Sequence, residues 1–280
     1  MITVETTLPY PEVYEGGSGE TLVLVHGFTE TWRVWIPILK LLEPHYRIIA
    51  PTVPGHIGGL TLDEPASPKA IFDLLEKQLR ERGIIHAHFV GQSLGGWAAL
   101  EMARRGIARS AMGLSPAGGF RDGHVTAEFK KKSRLILKVL PYVIPLALQL
   151  ARFPWFRKMI LAGDMQNGDR APYAVVKDRF TRIQQMTIIE EFLNADLSPM
   201  KPLPADNKVP LRVVWCEKDT TLKFEECGQP LLDALGLKTH GVLKDCGHNP
   251  MFDDPEGVAK EILGFVRSVE RDEKSNTQIR

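Results

Sequence analysis

The segment Gly91-Gln92-Ser93-Leu94-Gly95 lies between a strand pattern and a helix pattern, and it restricts the backbone more than any other stretch of this 280-residue chain. Phe89 and Val90 lead in as a short buried strand, and from Trp97 the chain runs through good helix formers with an apolar face. A serine on a sharp strand-to-helix turn needs small neighbours, because the turn is strained and the backbone comes close to itself. Gly91, Gly95 and Gly96 meet that need. The helix start also turns free N–H groups and a positive field toward the hydroxyl. The pattern reads Ser93 as a nucleophile. Alone the pentapeptide is weak evidence, since Gly and Ser abound in ordinary turns. Its weight comes from what surrounds it.

Apolar and β-branched runs predict strands at residues 2–6, 12–15, 21–26, 46–50, 86–90, 110–114, 211–216 and 239–243. The run 21–26 is nearly continuous, as in a strand buried on both faces. Helices are expected at 33–42, at 67–82 with Ser67 as N-cap, Pro68 in the first turn and Gly83 beyond the end, and from 254 or 255 to about 270. The last shows Val258, Ile262, Phe265 and Val266 on one face, and the tail 271–280 is polar and expected to fray. Strands alternating with helices predict an α/β fold with a mostly parallel sheet. Residues 117–208 break the alternation with successive helix patterns, so they read as a helical lid inserted between the sixth and seventh predicted strands, with 1–116 and 209–280 forming the core.

Charge and composition limit the functional classes. A net charge of +1 offers no global attraction to nucleic acid. The lid's first half is basic, with nine Lys/Arg between Arg121 and Lys158 against Asp122 and Glu128. That reads first as a solvated face, and second as a surface for anionic substrates or membrane interfaces. The apolar run 135–151 is interrupted by Lys138, Pro141, Pro145 and Gln149, too short and broken for a transmembrane segment. Cys216, Cys227 and Cys246 are odd in number and widely spaced, which suits free thiols in a reducing compartment. The first residues have neither a basic n-region nor an apolar h-region, so a cytoplasmic protein is expected. No H-E-x-x-H, C-x-x-C or phosphate-cradling motif appears, so neither metal nor cofactor is expected. Oligomeric state is left open.

Two further residues complete a constellation. Asp219 follows the strand Val213-Val214-Trp215-Cys216, and His248 sits in Asp245-Cys246-Gly247-His248-Asn249-Pro250 after the next strand. In a parallel sheet the loops at the carboxyl ends gather on one edge, so Ser93, Asp219 and His248 should converge. A serine hydroxyl becomes nucleophilic when an imidazole takes its proton and a carboxylate orients that imidazole. Glu217 and Asp245 compete for the acid's place; the position after the sixth predicted strand holds Ser115-Pro116 and offers none. His26 and His56 fit loop support, and His86 and His88 read as structural. Cys216 and Cys246 read as buried thiols beside the site, and Trp32, Trp35 and Trp97 as core or pocket residues.

The G-x-S-x-G turn and the order Ser…Asp…His resemble the α/β-hydrolase superfamily from about Thr21 to Ser268, the lid excepted. His26-Gly27-Phe28 is similar to the family's H-G-x, which implies an oxyanion hole from the backbone N–H groups of Phe28 and Leu94, with Gly27 keeping the approach clear. The stretch Thr52-Val53-Pro54-Gly55-His56-Ile57-Gly58-Gly59 departs from the D-x-P-G-x-G-x-S of many relatives. The resemblance implies a serine hydrolase acting on a small-molecule carboxylic ester with an apolar portion. C–C bond hydrolysis of ring-fission products, perhydrolysis, acyl transfer and non-catalytic ligand binding are the alternatives on the same scaffold. An aspartate nucleophile, as in the superfamily's dehalogenases and epoxide hydrolases, is disfavoured by the Ser at the turn.

Overall fold

The computed structural model describes residues 12–121, 123 and 127–278. Seven strands, β1 (Val13–Gly16), β2 (Thr21–Val25), β3 (Arg47–Pro51), β4 (Ala87–Gln92), β5 (Ala108–Leu114), β6 (Leu211–Cys216) and β7 (Gly241–Leu243), form one sheet in the order β1-β3-β2-β4-β5-β6-β7. All neighbours run parallel except the edge strand β1, which pairs antiparallel with β3. The predicted strand 2–6 lies outside the described residues.

Side chains alternate across this sheet, which explains the unbroken apolar runs. Val23, Phe89, Ala111 and Val213 face one way, onto α2 (Pro68–Glu81) and α3 (Leu94–Arg104). Leu22, Leu24, Val90, Met112 and Val214 face the other, onto α1 (Ile36–Leu42) and the long C-terminal helix Pro255–Gln278. The Ser67 hydroxyl accepts from Ala70 N–H at 3.1 Å and so caps α2. Between β5 and β6 the chain forms α4 (Ala127–Leu150), α5 (Pro154–Ile160), α6 (Tyr173–Ile183) and α7 (Ile188–Asn194), with no strand among the described residues there. After β6 come α8 (Gln229–Leu235), the short α9 (Pro250–Asp253) and finally α10, the C-terminal helix.

Two expectations need correction. The helix expected over 33–42 is a 3₁₀ turn, Trp32–Trp35, that passes into α1, because Thr31 caps the turn and Pro37 sits at the α-helix start. The polar tail does not fray after residue 270: α10 continues to Gln278, held by the pair of Glu273 with Arg109 on β5. Pro141 and Pro145 do not break α4. Both proline side chains are exposed.

The sharp turn after β4 works only without side chains at its glycines. Ser93 has φ 55° and ψ −121°, outside the regions favoured by L-residues. A Cβ on Gly91 would lie 1.9 Å from the Gly95 carbonyl oxygen, and one on Gly95 would lie 2.0 Å from that of Val25 on β2. By contrast, Gly83 needs glycine only for its φ of +70°, with open space around it. Gly95→Ala is therefore expected to destabilise the fold by about 3 kcal/mol or more. Gly83→Ala is expected to cost only about 1 kcal/mol, and urea denaturation of the two variants makes the comparison.

Candidate active site

The carboxyl edge of the sheet gathers the loops after β2, β4, β5, β6 and β7. Registers Val25↔Gly91, Gln92↔Leu114, Leu114↔Val214 and Cys216↔Leu243 bring those strand ends level. Ser93 follows β4, Asp219 follows β6 and His248 follows β7, so three residues distant in sequence share one rim. His248 Nδ1 lies 2.7 Å from Asp219 Oδ2, and both side chains are buried. The other carboxylate oxygen of Asp219 accepts from the N–H groups of Thr221 at 2.9 Å and Leu222 at 2.8 Å. These bonds fix the carboxylate, and the carboxylate fixes the ring, leaving Nε2 as the free imidazole nitrogen. Glu217 instead pairs with Lys218 and accepts from Asp245 N–H at the surface, so neither rival acid is on the imidazole.

Burial alone would hold the imidazole neutral, but Asp219 outweighs it and raises the His248 pKa above the usual 6.5. Gln92, at the end of β4, donates to the His248 carbonyl at 2.8 Å and ties the histidine loop to the serine turn.

Ser93 and His248 line one cavity of about 480 Å3. Phe28 and Leu94 line it too. Leu94 is the first residue of α3, and the N–H at that position has no partner within the helix. Phe28 follows Gly27, where a Cβ would meet the Gln92 amide oxygen at 2.3 Å. His26 Nε2 accepts from Val53 N–H at 2.9 Å, and His56 Nε2 accepts from Thr29 N–H at 3.2 Å. These two histidines brace the Phe28 loop against the loop after β3, as expected. Burial holds both neutral, His26 far below its usual range and His56 at about 4. His88 bonds Ser110 on the neighbouring strand, a structural role. Trp97 lines the cavity, while Trp32 and Trp35 stay in the core. Cys216, Cys227 and Cys246 are free and buried, and burial raises their thiol pKa values.

Most of the cavity wall is apolar, with Phe28 stacked on Phe192 at 4.3 Å and Leu137, Ile183 and Leu222 nearby. One end is polar and was missed from sequence. Arg179 of α6 pairs with Asp164 at 2.5 Å and Glu30 at 3.0 Å, and Asn249, beside His248, donates to both carboxylates. Burial raises the Glu30 pKa; Arg179 opposes the rise and Asp164 adds to it. Asp164 is itself held low: burial opposes this, but Arg179 and His248 prevail. The neighbouring residues of α6 anchor the helix a second time. Arg182 reaches Glu12 at 2.8 Å and Asp178 at 2.8 Å, and Arg33 meets the same Glu12 at 2.6 Å.

A mostly parallel sheet with a serine turn at its carboxyl edge defines a protein of the α/β-hydrolase class, and the comparisons agree. The alpha/beta hydrolase family model matches residues 22–261, so the chain belongs to that family and is a hydrolase. It is 29% identical over 212 residues to the epoxide hydrolase EphH of Mycobacterium tuberculosis, covering 71% of this chain and 95% of that protein. It is 25% identical over 274 residues to the monoacylglycerol lipase ABHD6 of Mus musculus, covering 90% and 77% respectively. The crystal structure of a membrane phospholipase A, a bacterial virulence factor, superposes with a TM-score of 0.70 over 92% of this chain and 82% of that one. At 20% identity that likeness is one of fold.

Glu12→Gln removes the carboxylate shared by Arg33 and Arg182 in a buried setting. The expected cost is about 3–5 kcal/mol, measured as a lowered denaturation midpoint.

Proposed function

We propose that the chain is a cofactor-independent serine hydrolase of carboxylic esters, with Ser93 as nucleophile, His248 as base and Asp219 as the acid that orients it. The observation that carries this reading is the His248–Asp219 bond at the wall of the cavity that also holds Ser93. In this mechanism Ser93 Oγ attacks the acyl carbon while His248 Nε2 takes its proton. The negative oxygen that forms is held by the backbone N–H groups of Phe28 and Leu94, each worth about 3 kcal/mol of barrier. His248 then gives the proton to the departing alcohol, leaving an acyl-enzyme on Ser93. Water attacks that ester with the same histidine as base, and acid and free Ser93 result.

An apolar acyl portion fits the wall of Phe28, Leu137, Ile183, Phe192 and Leu222. The helices between β5 and β6 act as the lid over it. Esterase and lipase names among the relatives support an ester substrate, and Ser93 at the turn separates this chain's chemistry from an aspartate nucleophile.

A fluorophosphonate probe is expected to label the wild-type protein and not Ser93→Ala; an unlabelled wild type removes the reading. Asp219→Asn is expected to lower kcat by about 10⁴-fold. Among p-nitrophenyl esters, medium chains should be preferred to acetate. Only the neutral imidazole can act as base, so kcat/KM should rise with pH. The rise should pass through an apparent pKa above 6.5, as the raised value for His248 requires.

A further inference from the structure

Helix α4 is apolar on two sides. Leu140 and Ile144 are buried, and Leu137 lines the cavity. The outer side carries Leu135, Val139, Tyr142 and Leu146, spaced i, i+4, i+7 and i+11 and therefore in one stripe. Tyr142 is 85% exposed and Leu146 62%. Past the turn at 151–153, Phe153, Trp155 and Met159 continue the exposed apolar surface onto α5. Isolated exposed apolar side chains are ordinary, but a run of this size marks a contact surface.

The stretch Ser133–Leu150 has a mean hydropathy of 1.4 and is long and apolar enough to cross a bilayer by length and composition. Its place in the fold argues for another arrangement. The strands on either side of the insertion, β5 and β6, are neighbours in one sheet, and Ser133, Ile136 and Leu137 form part of the cavity wall. A helix held against the body in this way can lie in a membrane interface but not traverse it.

Charge selects the occupant. From residue 129 to 160 the sequence has eight Lys/Arg and no Asp or Glu. Arg134 pairs with Glu190, and buried Arg157 holds the carbonyls of Ala151 and Arg152. Lys131, Lys138, Arg152 and Lys158 are exposed. A second copy of this face would oppose like charges. An anionic headgroup layer accepts both the basic groups and, beneath them, the apolar and aromatic side chains.

We propose that α4 and α5 form a docking surface for an anionic lipid bilayer. Leu135, Tyr142, Leu146 and Trp155 enter the interface, and Lys131, Lys138, Arg152 and Lys158 lie at headgroup level. Ile136, half exposed beside this stripe, also lines the cavity, so the cavity wall reaches the edge of the docked surface. Resting on the ester-hydrolase reading, this gives an apolar ester dissolved in the bilayer a route to Ser93.

The test is flotation of the full-length protein with vesicles of phosphatidylcholine alone or mixed with phosphatidylglycerol. The protein is expected to float with the phosphatidylglycerol vesicles, less so as salt rises, and little with phosphatidylcholine alone. Leu135→Asp with Leu146→Asp should lower the affinity by about tenfold or more. Lys138→Glu and Lys158→Glu should each lower it by roughly fivefold or more. All variants should keep wild-type circular dichroism and turnover of soluble p-nitrophenyl butyrate. No flotation at low salt, or flotation unchanged in the double Asp variant, overturns the proposal. So does a wild-type dimer that the double Asp variant dissociates, since a second copy then covers the face. Flotation needs no turnover, so a protein inactive on carboxylic esters that still floats removes the ester-hydrolase reading and leaves the docking surface standing.

Discussion

The contact between the serine turn and β2 is the constraint from which the site follows. With the Gly95 position this close to the Val25 carbonyl, α3 can leave β4 only where β2 lies directly alongside. That closeness sets the His26–Phe28 loop directly beside Ser93 and the Gln92 side chain. It also forces Ser93 to a positive φ, a backbone strain held in place by strands buried on both sides. A turn of this kind stays sharp because its surroundings cannot relax. The two apolar layers on the faces of the sheet are what keep them from doing so.

A second consequence is the division of labour at the rim. Asp219 is fixed by two backbone N–H groups before it meets His248, and His248 is tied back to β4 through Gln92. The ring is therefore oriented by a carboxylate, and the backbone that carries it is held by an amide. Beside the histidine loop, Arg179 bridges Glu30 and Asp164, so the polar end sets one guanidinium between two carboxylates before any substrate enters. The remaining wall is apolar, and the two ends of the cavity offer different chemistry to the two ends of a molecule.

How far this was legible depended on whether a residue's partners are local. The central strands were readable because burial on both faces demands unbroken apolar runs, as at Leu22–Val25. The gathering of Ser93, Asp219 and His248 at one rim was readable because strand ends of a parallel sheet converge by topology alone; that Asp219, not Glu217 or Asp245, meets the imidazole needed coordinates. Glu30, Asp164, Arg179 and Glu12 carried no signal: in sequence each looks like a surface charge, and its partner lies a long way off in the chain. The end of α10 was misread for the same reason, since Arg109 holds it from the far side of the sheet.

The double anchoring of α6 bears on how such enzymes diversify. Asp178, Arg179 and Arg182 engage Glu12, Arg33 and Glu30, which belong to the sheet body and lie far upstream in the chain. The helical segment between β5 and β6 is thus keyed to the sheet by ion pairs rather than resting on it as a detachable module. A chimera that grafts this segment onto another scaffold must carry Glu12, Glu30 and Arg33 along, or it strands guanidinium and carboxylate groups out of reach of water. Recombination between homologues is constrained at those crossover points.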